Sequence, residues 1–311
     1  MNVPTAAVVS RQTVTVRAHA KINLDLRVLG TRSDGFHELR TVFQALALHD
    51  TIECVSRPGA FTIECETAGV PLDRANLVWR AAEALWRSLR RQGPVKDVLV
   101  RLHKQIPLQG GLGGGSTDAA ATLIALAHAW RVPLRPNQFV DVAATLGADV
   151  PFFLSGGTAL GLGRGDEIYS LADLPRHWVV LLIPGFGVAT VDAYGWYDAE
   201  RDPARGPMVR EAQYVPGPWP SRAAQMINDL EAPIARHHPE IEQMKTALRR
   251  AGALAAAMSG SGSTVFGLFQ KRKDAVLAVE RLSGSGWRVI LTESLGRGDY
   301  LRRSRPRFQA S

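Results

Sequence analysis

Pro107-Leu-Gln-Gly-Gly-Leu-Gly-Gly-Gly-Ser-Thr117 places five glycines between two very different neighbours. Upstream, Asp97-Val-Leu-Val-Arg-Leu102 reads as a β-strand; downstream, residues 118–130 are rich in Ala and Leu and read as a helix of high intrinsic propensity. The glycines therefore sit just before a helix N-terminus. Without Cβ atoms such a loop wraps closely around an anion, its N–H groups point inward, and the helix dipole favours negative charge. A triphosphate is the natural guest. The established phosphate loops do not fit: Ser116-Thr117, not Lys-Ser or Lys-Thr, follows Gly115, and no Gly-x-Gly-x-x-Gly occurs anywhere in the chain. A glycine loop alone is equally a tight strand-to-helix connection, so the segments on either side must decide.

Towards the N-terminus, Val14 and Val16, then Ile22, Leu24, Leu26 and Val28, alternate with polar residues. Side chains of a strand alternate faces, which puts Lys21, Asn23, Asp25 and Arg27 together opposite the aliphatics. A loop, Gly30-Thr-Arg-Ser-Asp-Gly-Phe-His37, follows. Cys54 and Cys65, the chain's only cysteines, lie in two short runs separated by Arg57-Pro-Gly-Ala60, a hairpin signal that would set Cys54 opposite Ile63 and Cys65 opposite Ile52. Both sulfurs are then core groups, neither a disulfide nor a metal site, in a reducing compartment. Leu77, Ala81, Leu85 and Leu89 recur at helical spacing over residues 76–92, and Gly93-Pro94 stops the helix.

Towards the C-terminus a helix over residues 137–146 precedes Gly147-Ala-Asp-Val-Pro151 and a glycine-punctuated stretch to Asp166. The apolar run 178–183 opens a second unit. Its elements read strand, helix (239–251), strand (254–258), strand (264–269), helix (273–283) and strand (287–291), with helical material inserted after the first strand. This is the split pattern of ferredoxin-like domains. The expected fold class is α+β in two domains, residues 1–172 and 173–311.

Composition agrees with a packed globular protein: 46% hydrophobic and 21% charged over 311 residues. No apolar run has the length of a membrane span, and a cytoplasmic protein is expected. The net charge of +8 is concentrated partly in Arg297, Arg302, Arg303, Arg305 and Arg307, read as a solvated basic tail, with RNA contact the minority reading.

Ala20-Lys-Ile-Asn-Leu24, the loop of residues 107–117, and Ser259-Gly-Ser-Gly-Ser-Thr264 together resemble the three motifs of the GHMP kinases. Asp34-Gly-Phe-His-Glu-Leu39 and Gly147-Ala-Asp-Val-Pro151 resemble the branch whose acceptor is a cytidine diphosphate-linked methylerythritol. The resemblance implies an N-terminal ATP-binding α/β domain of a kind shared with a ribosomal protein, a C-terminal ferredoxin-like domain, and a monomer or homodimer without nucleic-acid or membrane partners. It implies Lys21 and Asp149 as the catalytic pair. Pro107, Leu108, Gln109, Gly110, Gly111, Leu112, Gly113, Gly114, Gly115, Ser116 and Thr117 would hold ATP. Asn23, Phe36, His37, Phe43 and Tyr194 would line the acceptor pocket, with aromatic faces suited to a pyrimidine. Mg²⁺ would accompany ATP, with Ser116 its candidate protein ligand.

Each residue has a plainer role open to it. Lys21 is otherwise a solvated strand lysine, Asp149 a cap or turn carboxylate, Ser116 an N-cap, and Phe43 and Tyr194 ordinary core aromatics. Two positions depart from the motif: His19 stands where Pro is common, and Phe36 where Tyr is usual. The competing functions are a GHMP kinase for homoserine, mevalonate or a sugar, and a non-catalytic RNA-binding module.

Overall fold

The alternating stretch near the start becomes β1 (Gln12–Thr31), around which the first of two sheets is built. The structure is a computed structural model and describes residues 12–133, 135–200 and 226–310. β2 (His37–Ala60), β3 (Thr62–Glu64), α1 (Leu77–Ser88), β4 (Lys96–His103), α2 (Gly114–Ala129), α3 (Pro136–Leu146), α4 (Phe152–Ser155), β5 (Thr158–Leu162) and β6 (Glu167–Ser170) follow in order. The second unit contains β7 (Trp178–Ile183), α5 (Thr190–Glu200), α6 (Glu231–His237), α7 (Glu240–Arg250), β8 (Ala255–Met258), β9 (Val265–Phe269), α8 (Arg272–Leu282) and β10 (Arg288–Glu293). The chain ends in α9 (Arg297–Arg303) and β11 (Arg307–Ala310).

The first sheet runs β11-β1-β2-β4-β3, with β5 beside β2 and β6 beside β5. The apolar face of α1, Val78, Ala81 and Leu85, and that of α2, Ala120 and Leu123, pack with Val14, Val16, Ile52 and Cys54 in one core. Asn76 caps α1, its Oδ1 accepting from the Val78 N–H.

The second sheet is antiparallel in the order β10-β7-β9-β8, as the β-α-β-β-α-β reading requires. Part of the inserted material, residues 201–225, lies outside the described residues. One face, with Val180, Leu182 and Val265, packs against Met244, Leu248, Ala275 and Ala278 of α7 and α8. The opposite face, Val179, Leu181, Phe266 and Leu268, packs on Ile22, Leu24 and Leu46. The aliphatic side of β1 thus joins the two sheets. Its polar side divides, because β1 and β2 shift register at His19/Lys21 and at Asn23/Asp25. Lys21 and Asn23 are buried, whereas Arg27 pairs with Asp25 and with Asp229.

Two expectations are corrected. The hairpin does not form: β4 lies between β2 and β3, antiparallel to the first and parallel to the second. Cys54 and Ile63 both sit beside Val100 and do not face each other. The local turn signal loses to a longer apolar strand that pairs with β2 from residues 51 to 60. Both thiols are free, Cys54 buried in the core and pushed well up by that burial, Cys65 half-buried against it. The arginine-rich end is likewise no solvated extension. β11 pairs with β1, and the buried Tyr300 donates its hydroxyl to the Phe153 carbonyl at 2.6 Å. Charge count hid this one aromatic anchor.

Candidate active site

α2 begins at Gly114 with Gly113 as its N-cap, held left-handed at φ 70°. The first N–H groups of a helix have no partner within it, and no acidic side chain occupies this first turn. Gly113 has a second reason to be glycine, since a Cβ there would meet the Phe153 ring at 2.7 Å. The loop is thus a positive, glycine-rich wall for a cleft of about 1200 Å³. Pro107 through Ser116 all line it; Thr117 does not, being buried beneath the helix start. Ser116 lies inside the first turn, so it is not the N-cap, and its hydroxyl has no hydrogen bond among the described residues.

The three sequence motifs interlock around this wall. The Lys21 N–H donates to the Leu112 carbonyl at 3.0 Å. Ser259 Oγ donates to the Gly111 carbonyl at 2.9 Å, and the Thr264 N–H to the Gly110 carbonyl at 3.3 Å. Asn228 Nδ2 donates to the carbonyls of Met258 and Gly260, fixing the third motif from behind.

Lys21 is no solvated lysine. Its side chain is 4% exposed, and its ammonium lies 3.2 Å from Asp149 Oδ2 and donates to Asn23 Oδ1 at 2.7 Å. Asn23 Nδ2 in turn donates to Thr41 Oγ1 at 2.7 Å, which sets the amide's orientation. Asp149 stands in the turn between α3 and α4, where Pro151 and not Asp149 is the cap of α4. Its carboxylate is 31% exposed and lines the cleft. A buried ammonium paired with a carboxylate that still reaches solvent keeps that carboxylate aimed into the cleft.

Asn23, Phe36, His37, Phe43 and Tyr194 also line the cleft. His37 and Tyr194 stack with ring centroids 4.6 Å apart, and His37 Nε2 is 2.8 Å from Asp198 Oδ1. Burial, reinforced by the charge of Asp149, pushes the Tyr194 phenol well up and keeps it neutral. Phe43 is almost wholly buried and stacks on Phe152. It backs the Lys21 ammonium, 5.5 Å from its centroid, and offers no open stacking face.

Several groups escaped sequence reasoning. Lys104, at the exit of β4, is clasped by Asp50 and, at 2.7 Å, by Asp118. Burial pushes Asp118 up to about 8 against the pull of Lys104, while the two carboxylates outweigh burial and raise Lys104. Asp50 also accepts from the Ile106 N–H at 2.8 Å, so this cluster fixes the approach to the glycine loop. Thr41, Asp198 and Arg164 reach the same cleft from β2, α5 and the β5–β6 turn. None belongs to a motif, and Lys104 had as its one available signal the place of a basic residue just ahead of the glycine loop.

Comparison with known proteins identifies the family. Residues 76–157 match the GHMP kinases N terminal domain and residues 219–287 the GHMP kinases C terminal domain. A 4-diphosphocytidyl-2-C-methyl-D-erythritol kinase of Solibacter usitatus is 45% identical over 86% of this chain and 84% of its own length. One of Moorella thermoacetica is 42% identical over 91% and 99%. A crystal structure of a 4-(cytidine 5'-diphospho)-2C-methyl-D-erythritol kinase superposes with a TM-score of 0.72 at 32% identity, covering 91% of this chain and 99% of the other.

Proposed function

The chain belongs to the GHMP kinases, in the branch named 4-diphosphocytidyl-2-C-methyl-D-erythritol kinase, and on that premise we propose how its cleft works. The reaction transfers the γ-phosphoryl group of ATP to the 2-hydroxyl of 4-diphosphocytidyl-2-C-methyl-D-erythritol, giving the 2-phosphate and ADP, a step of the non-mevalonate route to isoprenoid precursors. It takes place in the cytoplasm, as the free cysteines support. No helix among the described residues is long and apolar enough to cross a membrane.

Residues 107–116 hold the phosphates of ATP, with backbone N–H groups at the start of α2 as donors, and Thr117 lies behind them. The acceptor's 2-hydroxyl oxygen attacks the γ-phosphorus; the bond from that phosphorus to the β–γ bridging oxygen breaks, and Asp149 takes the hydroxyl proton. Lys21 orients Asp149 and offsets charge on the transferring group. Asn23 and Thr41 hold Lys21 in line, and Phe36, His37 and Tyr194 receive the pyrimidine. Mg²⁺ fits this donor set, since Ser116 presents a hydroxyl without a partner and such ions are held by one or two protein groups plus phosphates. It would neutralise phosphate charge there. Of the tail arginines, Arg302 pairs with Asp299 and Arg303 with Glu293.

The observation that carries the reading is the Lys21–Asp149 pair beside the glycine wall. The test is ADP release with each acceptor. Turnover is expected with the diphosphocytidyl alcohol and not with homoserine or mevalonate; the reverse would overturn the reading.

A further inference from the structure

Asn228-Asp-Leu-Glu231 belongs to none of the three motifs, yet on its way into α6 it is tied to the strands that carry the first and lead into the third. The Leu26 N–H donates to the Ile227 carbonyl at 2.8 Å and the Asp229 N–H to the Leu26 carbonyl at 3.0 Å, so residues 227–229 run beside β1 as a short added strand. Asp229 Oδ2 accepts from the Val28 N–H at 2.9 Å, and Glu231 Oε2 accepts from the Met258 N–H at 2.7 Å. One short segment thus grips both β1 and the end of β8.

Asn228 stands at the junction, 9% exposed and outside the cleft lining. Its Nδ2 donates to the Met258 carbonyl at 2.9 Å and to the Gly260 carbonyl at 2.7 Å, which uses both amide donors, and its Oδ1 accepts from the Leu230 N–H at 3.0 Å. Gly260 does line the cleft, held left-handed at φ 57°. A Cβ there would lie 3.2 Å from both Lys21 Nζ and Asn23 Oδ1, so its backbone packs directly on the hydrogen bond between those two side chains. The glycine loop is held separately, by Ser259 on the Gly111 carbonyl and Thr264 on the Gly110 carbonyl.

We infer that Asn228 is a positioning residue for phosphoryl transfer, whose two amide donors seat Gly260 against Lys21 and Asn23 and so fix where the ammonium stands relative to Asp149. The inference rests on the function proposed above and deepens it. Without those donors the Gly260 carbonyl loses its support from behind, and the space beside Lys21 Nζ is no longer closed. A misplacement of about 1 Å in such a site costs on the order of 100-fold in rate. Asn228 touches no part of the cleft, so it acts on the transfer step and not on binding.

The experiment compares wild type with Asn228→Asp, Asn228→Ala and Gly260→Ala, measuring the single-turnover transfer rate, the KM for ATP, CDP binding and melting temperature. Asn228→Asp keeps an acceptor for the Leu230 N–H and sets an oxygen against the two carbonyls; Asn228→Ala removes donors and acceptor together. The transfer rate should fall roughly 10- to 100-fold in all three, with ATP KM and CDP binding near wild type and Asn228→Asp no faster than Asn228→Ala. A rate near wild type in Asn228→Asp makes the bond to Leu230 the residue's whole role, and overturns the inference while leaving the function standing. A rise in ATP KM as large as the fall in rate, with weakened CDP binding and a lowered melting temperature, reduces Asn228 to a structural support and also overturns it. Should neither Asn228 variant fold, Gly260→Ala decides: slowed transfer with ATP and CDP still bound upholds the inference, and a wild-type rate overturns it. A wild type that transfers nothing to the diphosphocytidyl alcohol sinks the function, and the inference with it.

Discussion

His19 shows what a single residue contributes against its surroundings. Fully buried beside the rings of His49 and Tyr300, it has no hydrogen-bond partner on either ring nitrogen. Burial, with His49, Arg303 and Arg17 nearby, lowers it from 6.5 to about 3. The unfolded chain therefore takes up the proton first. Stability is complete above pH 6.5 and is lost as pH falls from there towards 3; at pH 5 this one site costs about 2 kcal/mol relative to pH 8. His49 is lowered too and adds to the trend. His19→Phe should remove most of this site's share. Urea unfolding at pH 8 and pH 5 checks it, and an equal acid loss in both proteins would refute the assignment. That His19 replaces a common Pro was legible in the sequence; its enclosure was not, because Tyr300 arrives from 281 positions away in a segment read as solvent-exposed.

At the scale of elements, the strand-loop-helix reading around residues 97–130 was legible because glycine, apolar alternation and helix propensity all point one way. Lys21 and Asp149 needed the resemblance, since each alone has a commoner role. Arg164, Thr41 and Asp198 were hidden: β5 must first pair with β2, and α5 must reach His37, before they share a cleft. The loop itself gives a sharp prediction. A Cβ on Gly111 would lie 2.1 Å from the Ser259 carbonyl oxygen, at a φ of 70°. Backbone meets backbone, so neither side can turn away. Gly111→Ala should therefore separate the loop from the third motif, raise the ATP KM at least about tenfold and lower stability by roughly 1–3 kcal/mol from strain alone. Gly115→Ala, whose Cβ meets only Leu77 Cδ1 at 3.5 Å, should keep wild-type stability. Equal melting temperatures for the two variants would contradict this account.

For the whole molecule, the two sheets share one apolar seam, Ile22 and Leu24 against Val179, Leu181 and Phe266. The same strand turns Lys21 and Asn23 into the cleft, so packing between the sheets sets the position of the chemistry. The ferredoxin-like half could be read from element order alone. The first sheet could not, because its order depends on which strand wins the edge of β2, and the final residues close it from the far end of the chain.

We propose that the Lys21–Asp149 pair performs phosphoryl transfer. Single-turnover rapid quench with ATP and the diphosphocytidyl alcohol bound, comparing wild type with Asp149→Asn, tests it most directly. Asparagine keeps the shape and removes the proton acceptor, so the transfer rate should fall about 10²- to 10⁴-fold or more, with CDP and ATP still bound and the melting temperature little changed. A transfer rate near wild type in Asp149→Asn would contradict the account.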